Sequence, residues 1–167
     1  MGSTLIVDKI QGATTAGTVE MPAGSVIQTL GNSHTISSNI TTSGTSFTTT
    51  GLTSPVITPK FASSKILVTC DVGMVYGEAA ADGSMTSIFR SVQSGSYAAI
   101  NVLTYDHFHE SSGTANISPH MHHLLDTPTY TLGNNIRYQL FFKGQGVGNI
   151  HVYAGSMVHF TVSEIKQ

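Results

Sequence analysis

Apolar residues in this chain recur at every second position over long stretches. The clearest run is Lys65 to Tyr76 (KILVTCDVGMVY), where Ile66, Val68, Cys70, Val72, Met74 and Tyr76 share one parity. Lys65, Thr69, Asp71 and Gly73 take the other, with Leu67 and Val75 among them. A period of two lines one face of an extended strand, whereas a helix would scatter the same set around its circumference. No proline interrupts the run, so it predicts a central strand with one face in the core.

The rest of the chain repeats the theme in shorter pieces. Ser25 to Leu30 opens the series, and Gly31 to Thr50 is rich in Ser, Thr, Asn and Gly, with Ile36, Ile40 and Phe47 as isolated anchors. Threonine favours extended backbone, so this stretch predicts weakly apolar strands and not a linker. Leu52 to Thr58 reads as a strand interrupted by Pro55, and therefore as an edge. In Ser84 to Val92, Thr86, Ile88, Arg90 and Val92 alternate with Met85, Ser87, Phe89 and Ser91. Gln93 to Ser96 predicts a hairpin turn into Tyr97 to Tyr105. Ile117 to Leu125 follows and is ended by Asp126-Thr-Pro; Ile136 to Phe142, Ile150 to Ala154 and Met157 to Ile165 close the chain. Roughly eight to ten strands with no helical period predict an all-β fold. The expected form is an antiparallel, jelly-roll-like β-sandwich over 25–167, with an extended N-terminal arm over 1–24.

The arm carries Leu5, Ile6, Val7, Ile10, Val19 and Met21 among small and turn residues. A segment of this kind cannot bury its apolar side chains alone, so these six are the expected partner-anchoring residues.

Composition narrows the function. Only 10% of the 167 residues are charged, against about 25% in typical domains, while Ser and Thr supply roughly a quarter. Sheet faces of this kind suit burial against other subunits, where charge is costly. A net charge of −2 with scattered signs gives no basic footprint and argues against nucleic-acid binding. No cationic start leads into an apolar run, and no stretch approaches the length of a membrane span, so synthesis in cytoplasm without membrane insertion is expected. The single cysteine, Cys70, lies on the apolar parity of the central strand and is expected as a buried reduced thiol.

The opening STLIVDKIQGATTAGTVEMPAGSVIQ resembles that of small virion proteins of marine tailed bacteriophages, which pair a "TL-VD-IQ" start with a "PAGSVIQ" strand. GLTSPVITPKFASSKILVTCDV, the Phe89-Arg90 strand, HLLDTPTYTLGNNIRYQL and VHFTVSEIKQ follow the same order, so the resemblance spans nearly the whole chain. It implies a homotrimeric jelly-roll-like domain on the virion surface, made in the host cytoplasm and carried as a tail fibre, knob or capsid decoration. It also implies that the arm attaches to a capsid or tail protein, with loops presented for host attachment to a surface glycan or protein. The His-rich stretches depart from that pattern, so it assigns them no role.

Five of the eight histidines fall in two clusters, His107-Phe-His109 and His120-Met-His122-His123. In extended backbone, His107 pairs with His109, and His120 with His122, on one face apiece. Such pairs are candidate ligands for a transition metal if a cluster lies at a trimer axis. The competing readings are ordinary hydrogen-bonded histidines at the surface or an interface, and a pH-sensitive interface. Asp106 and Glu110 flank the first pair as candidate acid and base, or as solvated loop charges. No G-x-S-x-G elbow is present, and KGQGVG at 143–148 lacks the helix of a phosphate loop. The expectation is a structural protein and not an enzyme. The alternatives are a soluble carbohydrate-binding module or a cupin-like metal enzyme, which would need about three His and one carboxylate converging inside the barrel.

Overall fold

A computed structural model describes residues 21–77, 83–107, 116–145 and 148–167, the side chains of 101–107, 116 and 117 excepted. Among the described residues the chain is all-β, and no helix is long and apolar enough to cross a membrane. Ten strands follow in order: β1 (Val26–Thr35), β2 (Ile40–Thr42), β3 (Thr48–Thr53), β4 (Lys65–Gly77), β5 (Gly83–Val92), β6 (Ala98–His107), β7 (Asn116–Asp126), β8 (Ile136–Gly144), β9 (Ile150–Val152) and β10 (Met157–Ile165). They form two antiparallel sheets. One runs β1-β10-β4, with β7 on the other side of β4 and the short β9 and β2 continuing from its far end. The other runs β3-β8-β5-β6.

The inward parities of the two sheets meet in one core. Ile66, Val68, Cys70 and Val72 of β4 lie beside Val158, Phe160 and Val162 of β10, and all are buried. Ile136, Tyr138, Leu140 and Phe142 of β8 and Ile88 of β5 cover them from the second sheet, all at 0% exposure. Fully burying a side chain of this size contributes about 1.5–3 kcal/mol, which makes the alternating register hard to slip.

The central strand departs from its predicted parity at Gly73. Up to Val72 its neighbours are β10 and β7; from Val75 onward β9 has replaced β10, and the pairing with β7 shifts between these two residues. The bulge inverts the alternation, so Val75 is fully buried while Met74 and Tyr76 are only half-buried. Gly73 makes the crossing feasible, because a Cβ there would stand 2.8 Å from the Met157 carbonyl oxygen.

Other predicted bounds shift for local reasons. The first strand continues through Asn32 and His34 to Thr35, because β10 offers a continuous antiparallel partner. The strand expected over Leu52 to Thr58 stops at Thr53; beyond Pro55 only an isolated bridge between Ile57 and Ile136 remains. β3 is nevertheless an edge strand, as the proline required.

Of the arm, only residues from Met21 onward are described; Leu5, Ile6, Val7, Ile10 and Val19 lie outside the described residues. Met21 is exposed, and its carbonyl oxygen accepts from the Lys166 ammonium. Gly24 donates its amide to the Lys166 carbonyl at 2.8 Å, so the chain enters β1 beside the end of β10.

Candidate functional site

β7 lies beside β4 with Cys70 opposite His122 and Val72 opposite His120. Because β4 turns these two residues inward, the same register carries both imidazoles into the space between the sheets, where each is 1% exposed. The two histidines share a face, as their spacing predicted. That face is the interior one, not the surface or interface location expected from sequence, and His123 alone of the three points outward.

From the facing sheet, β5 supplies Thr86 and Ser84, both buried. The Thr86 hydroxyl lies 2.7 Å from Nδ1 of His120 and 2.9 Å from Nε2 of His122, and Ser84 Oγ is 3.4 Å from His120 Nε2. A hydroxyl has one proton to give and lone pairs to receive, so the ring to which Thr86 donates must present an unprotonated nitrogen, while the other ring donates to Thr86. Burial, with repulsion from His120 second, pushes the His122 pKa down to about 4 and favours its neutral ring.

Among the described residues the layer provides two imidazoles and two neutral hydroxyls. Zinc sites draw four ligands from His, Cys and carboxylates, and among the described residues no group of three such side chains is placed to hold a metal ion. The inward position also takes His120 and His122 away from any surface symmetry axis. Of the other pair, the side chain of His107 and all of His109 lie outside the described residues, as do the Asp106 side chain and Glu110.

A second polar layer was not foreseen. Arg90 of β5 places Nη1 2.6 and 2.8 Å from the two carboxylate oxygens of Asp126, at the end of β7, and Tyr138 of β8 donates its hydroxyl to Asp126 Oδ2 at 2.8 Å. Burial, with the Asp126 charge second, pushes the Tyr138 hydroxyl far up and keeps it a donor. Asp126 lies four residues along the strand from His122, roughly 13 Å at strand rise, so carboxylate and imidazoles do not converge as a cupin site needs.

A second buried carboxylate, Glu164, is fully enclosed and caps a loop. It accepts from the amides of Lys60 and Phe61, the hydroxyl of Ser64 and the side-chain amide of Gln28, at 2.7–3.1 Å. Cys70 is a free buried thiol whose pKa burial pushes far up, leaving it inert as expected.

The outer face of the β1-β10-β4-β7 sheet is nearly uncharged. Successive rows across it read Thr29, Ser163, Leu67, Leu125; then Gly31, Thr161, Thr69, His123; then Ser33, His159, Asp71, Met121. Asp71 is the only acidic or basic residue besides histidine in these rows, and Leu67, Met121 and Leu125 stand exposed among hydroxyls.

No family model matches this chain, and no curated protein matches it.

Proposed function

We propose that the chain is a structural protein of a tailed-phage particle, a fibre, knob or decoration protein that trimerises through its sheet faces and attaches by its N-terminal arm. The observation that carries the reading is the outer face just described. Exposed leucines and a methionine stand among hydroxyls with one carboxylate, which suits contact with another copy better than contact with water. The order of motifs along the sequence supports the phage assignment. The strand orders β1-β10-β4-β7 and β3-β8-β5-β6 support a jelly-roll reading of the sandwich, with β2 and β9 as short continuations.

Two measurements test this. Light scattering on the full chain should give a trimer that becomes a monomer when Leu67 and Leu125 are both changed to Glu; a monomeric unmodified chain overturns the trimer. Mass spectrometry of purified particles from a lysate containing this chain should recover it at structural copy number. Its absence from washed particles overturns the virion role.

A further inference from the structure

Around the turn between β5 and β6 and the start of β8 lies a hollow of about 310 Å³. Ser91 of β5 forms its floor and pairs in register with Arg137 of β8, which forms one wall. Tyr97, at the start of the β6 arm of the hairpin, forms the other, and Val56, Gly95 and Asn135 complete the rim.

The rim is held in place before anything binds. Gln93 and Ser94 turn the hairpin with φ of 52° and 59°, a left-handed conformation that costs non-glycine residues energy and persists only when neighbours enforce it. The enforcement comes from the loop before β8. Gln93 donates its amide to the Asn135 carbonyl at 2.7 Å, and its side-chain oxygen accepts from the Asn135 amide at 3.1 Å. The Ser91 hydroxyl donates to the Gly95 carbonyl at 2.6 Å, so its proton is committed and it can act toward a ligand only as an acceptor. Thr58 donates to Asn135 Oδ1 at 2.7 Å, so the amide nitrogen of Asn135 is the group left to donate elsewhere.

The Tyr97 ring is likewise supported from behind. It lies 6.0 Å from the Phe141 ring, which stacks on Phe89 at 4.0 Å with 21° between planes. Burial pushes the pKa of the Tyr97 hydroxyl up, and the nearby Arg137 guanidinium partly offsets that. Arg137 has no carboxylate partner among the described residues, and the lining holds no acid, imidazole or thiol.

We infer that this hollow binds an acidic saccharide, its carboxylate on Arg137, its ring against Tyr97 and its hydroxyls on Ser91 and Asn135. A planar guanidinium recognises a carboxylate through paired donors, an aromatic ring covers the apolar face of a pyranose, and pre-formed hydroxyl and amide partners supply direction. The lining holds no carboxylate, imidazole or thiol, and its donors and acceptors are placed for binding. The assignment does not rest on the virion role: a free carbohydrate-binding module would use the same residues.

The test is ligand-observed saturation-transfer NMR on the full chain with trigalacturonic acid, N-acetylneuraminic acid, neutral galactotriose and triglutamate. At least one acidic sugar should bind saturably, with galactotriose and triglutamate at least tenfold weaker. Arg137→Gln and Tyr97→Ala should each reduce binding at least tenfold while the circular dichroism spectrum is unchanged. Equal binding of galactotriose removes the acidic requirement, and equal binding of triglutamate reassigns the hollow to acidic peptides; either overturns the inference. Failure of both acidic sugars to bind, or binding that survives Arg137→Gln, overturns it as well.

Discussion

Arg90 and Asp126 meet at 2.6 Å across the interior, one from each sheet. The contact does more than pair two charges, because Asp126 also receives the Tyr138 hydroxyl and thereby ties three strands at one level of the sandwich. Arg90 is 22% exposed and Asp126 8%, so removing Asp126 leaves a guanidinium that water partly compensates and a buried Tyr138 hydroxyl that has lost its acceptor. Asp126→Ala should therefore lower unfolding stability by roughly 1–3 kcal/mol. Replacing both charges, Arg90→Met with Asp126→Leu, should recover part of that loss, because the lone guanidinium is removed while the Tyr138 hydroxyl still lacks its acceptor. Urea titrations of the two variants make the comparison, and a double variant as unstable as the single one would contradict it.

The histidine layer predicts an acid limb in stability. The His122 pKa falls from an ordinary 6.5 to about 4 in the folded chain, so the folded state favours the neutral ring. Its stabilising effect is complete above about pH 6.5 and is lost progressively as pH falls toward 4, because the unfolded chain takes up the proton first. At about 1.4 kcal/mol per pH unit the full effect is about 3 kcal/mol. Denaturant midpoints measured from pH 7.5 to 4 should fall along this limb, and in His122→Gln the limb should be largely absent. Among the described residues, His120 on its own strand, Thr86 on β5 and Cys70 on β4 lie beside His122.

Gly73→Ala should destabilise the fold by about 1–3 kcal/mol, the range for forcing extra volume into a packed site. The added methyl meets the Met157 backbone at 2.8 Å, and backbone cannot rotate away as a side chain would. Gly24→Ala gives the contrasting case, since a Cβ there meets nothing within 4 Å and the cost is only that of its φ of 85°. Thermal melts of the two variants separate crowding from backbone strain.

Glu164→Gln should release a loop without collapsing the core. The carboxylate holds the amides of Lys60 and Phe61 from the fully buried end of β10, and an amide side chain can accept at only one of its two terminal atoms. Hydrogen exchange at Lys60 and Phe61 should rise by an order of magnitude or more, while the amides of Val68 and Cys70 keep their protection. Uniformly faster exchange would mean that Glu164 supports the whole sandwich.

Much of this was legible from parity alone. The run from Ile66 to Val72 faces inward as written, and so do Val158, Phe160 and Val162. The same parity carried a message that charge obscured. Arg90 shares its face with Thr86 and Ile88, Asp126 is in step with His120 and His122, and Glu164 continues the series Val158, Phe160, Val162. Three charges in inward register announce buried polar contacts, but nothing in one strand tells which distant strand supplies the partner. The placement of His120 and His122 failed for a related reason: their shared face was evident, while its direction depended on pairing with Cys70 and Val72. The inversion at Gly73 follows from an exchange of neighbours, β10 for β9, which no local pattern records.

The hydrogen bond from Gly24 to Lys166 places the entry to β1 beside the exit of β10 at one corner of the sandwich. Mechanically, this decides how the molecule yields. A pull applied at Met21 and resisted at the opposite end of the sheets runs along β1, and loads its ladder with β10, from Val26 opposite Ile165 to Thr35 opposite Met157, in shear. Bonds loaded in shear share the force and must fail nearly together, whereas a ladder pulled crosswise opens one rung at a time. A pull on Met21 is thus met by the whole β1–β10 ladder and not by its end rung alone.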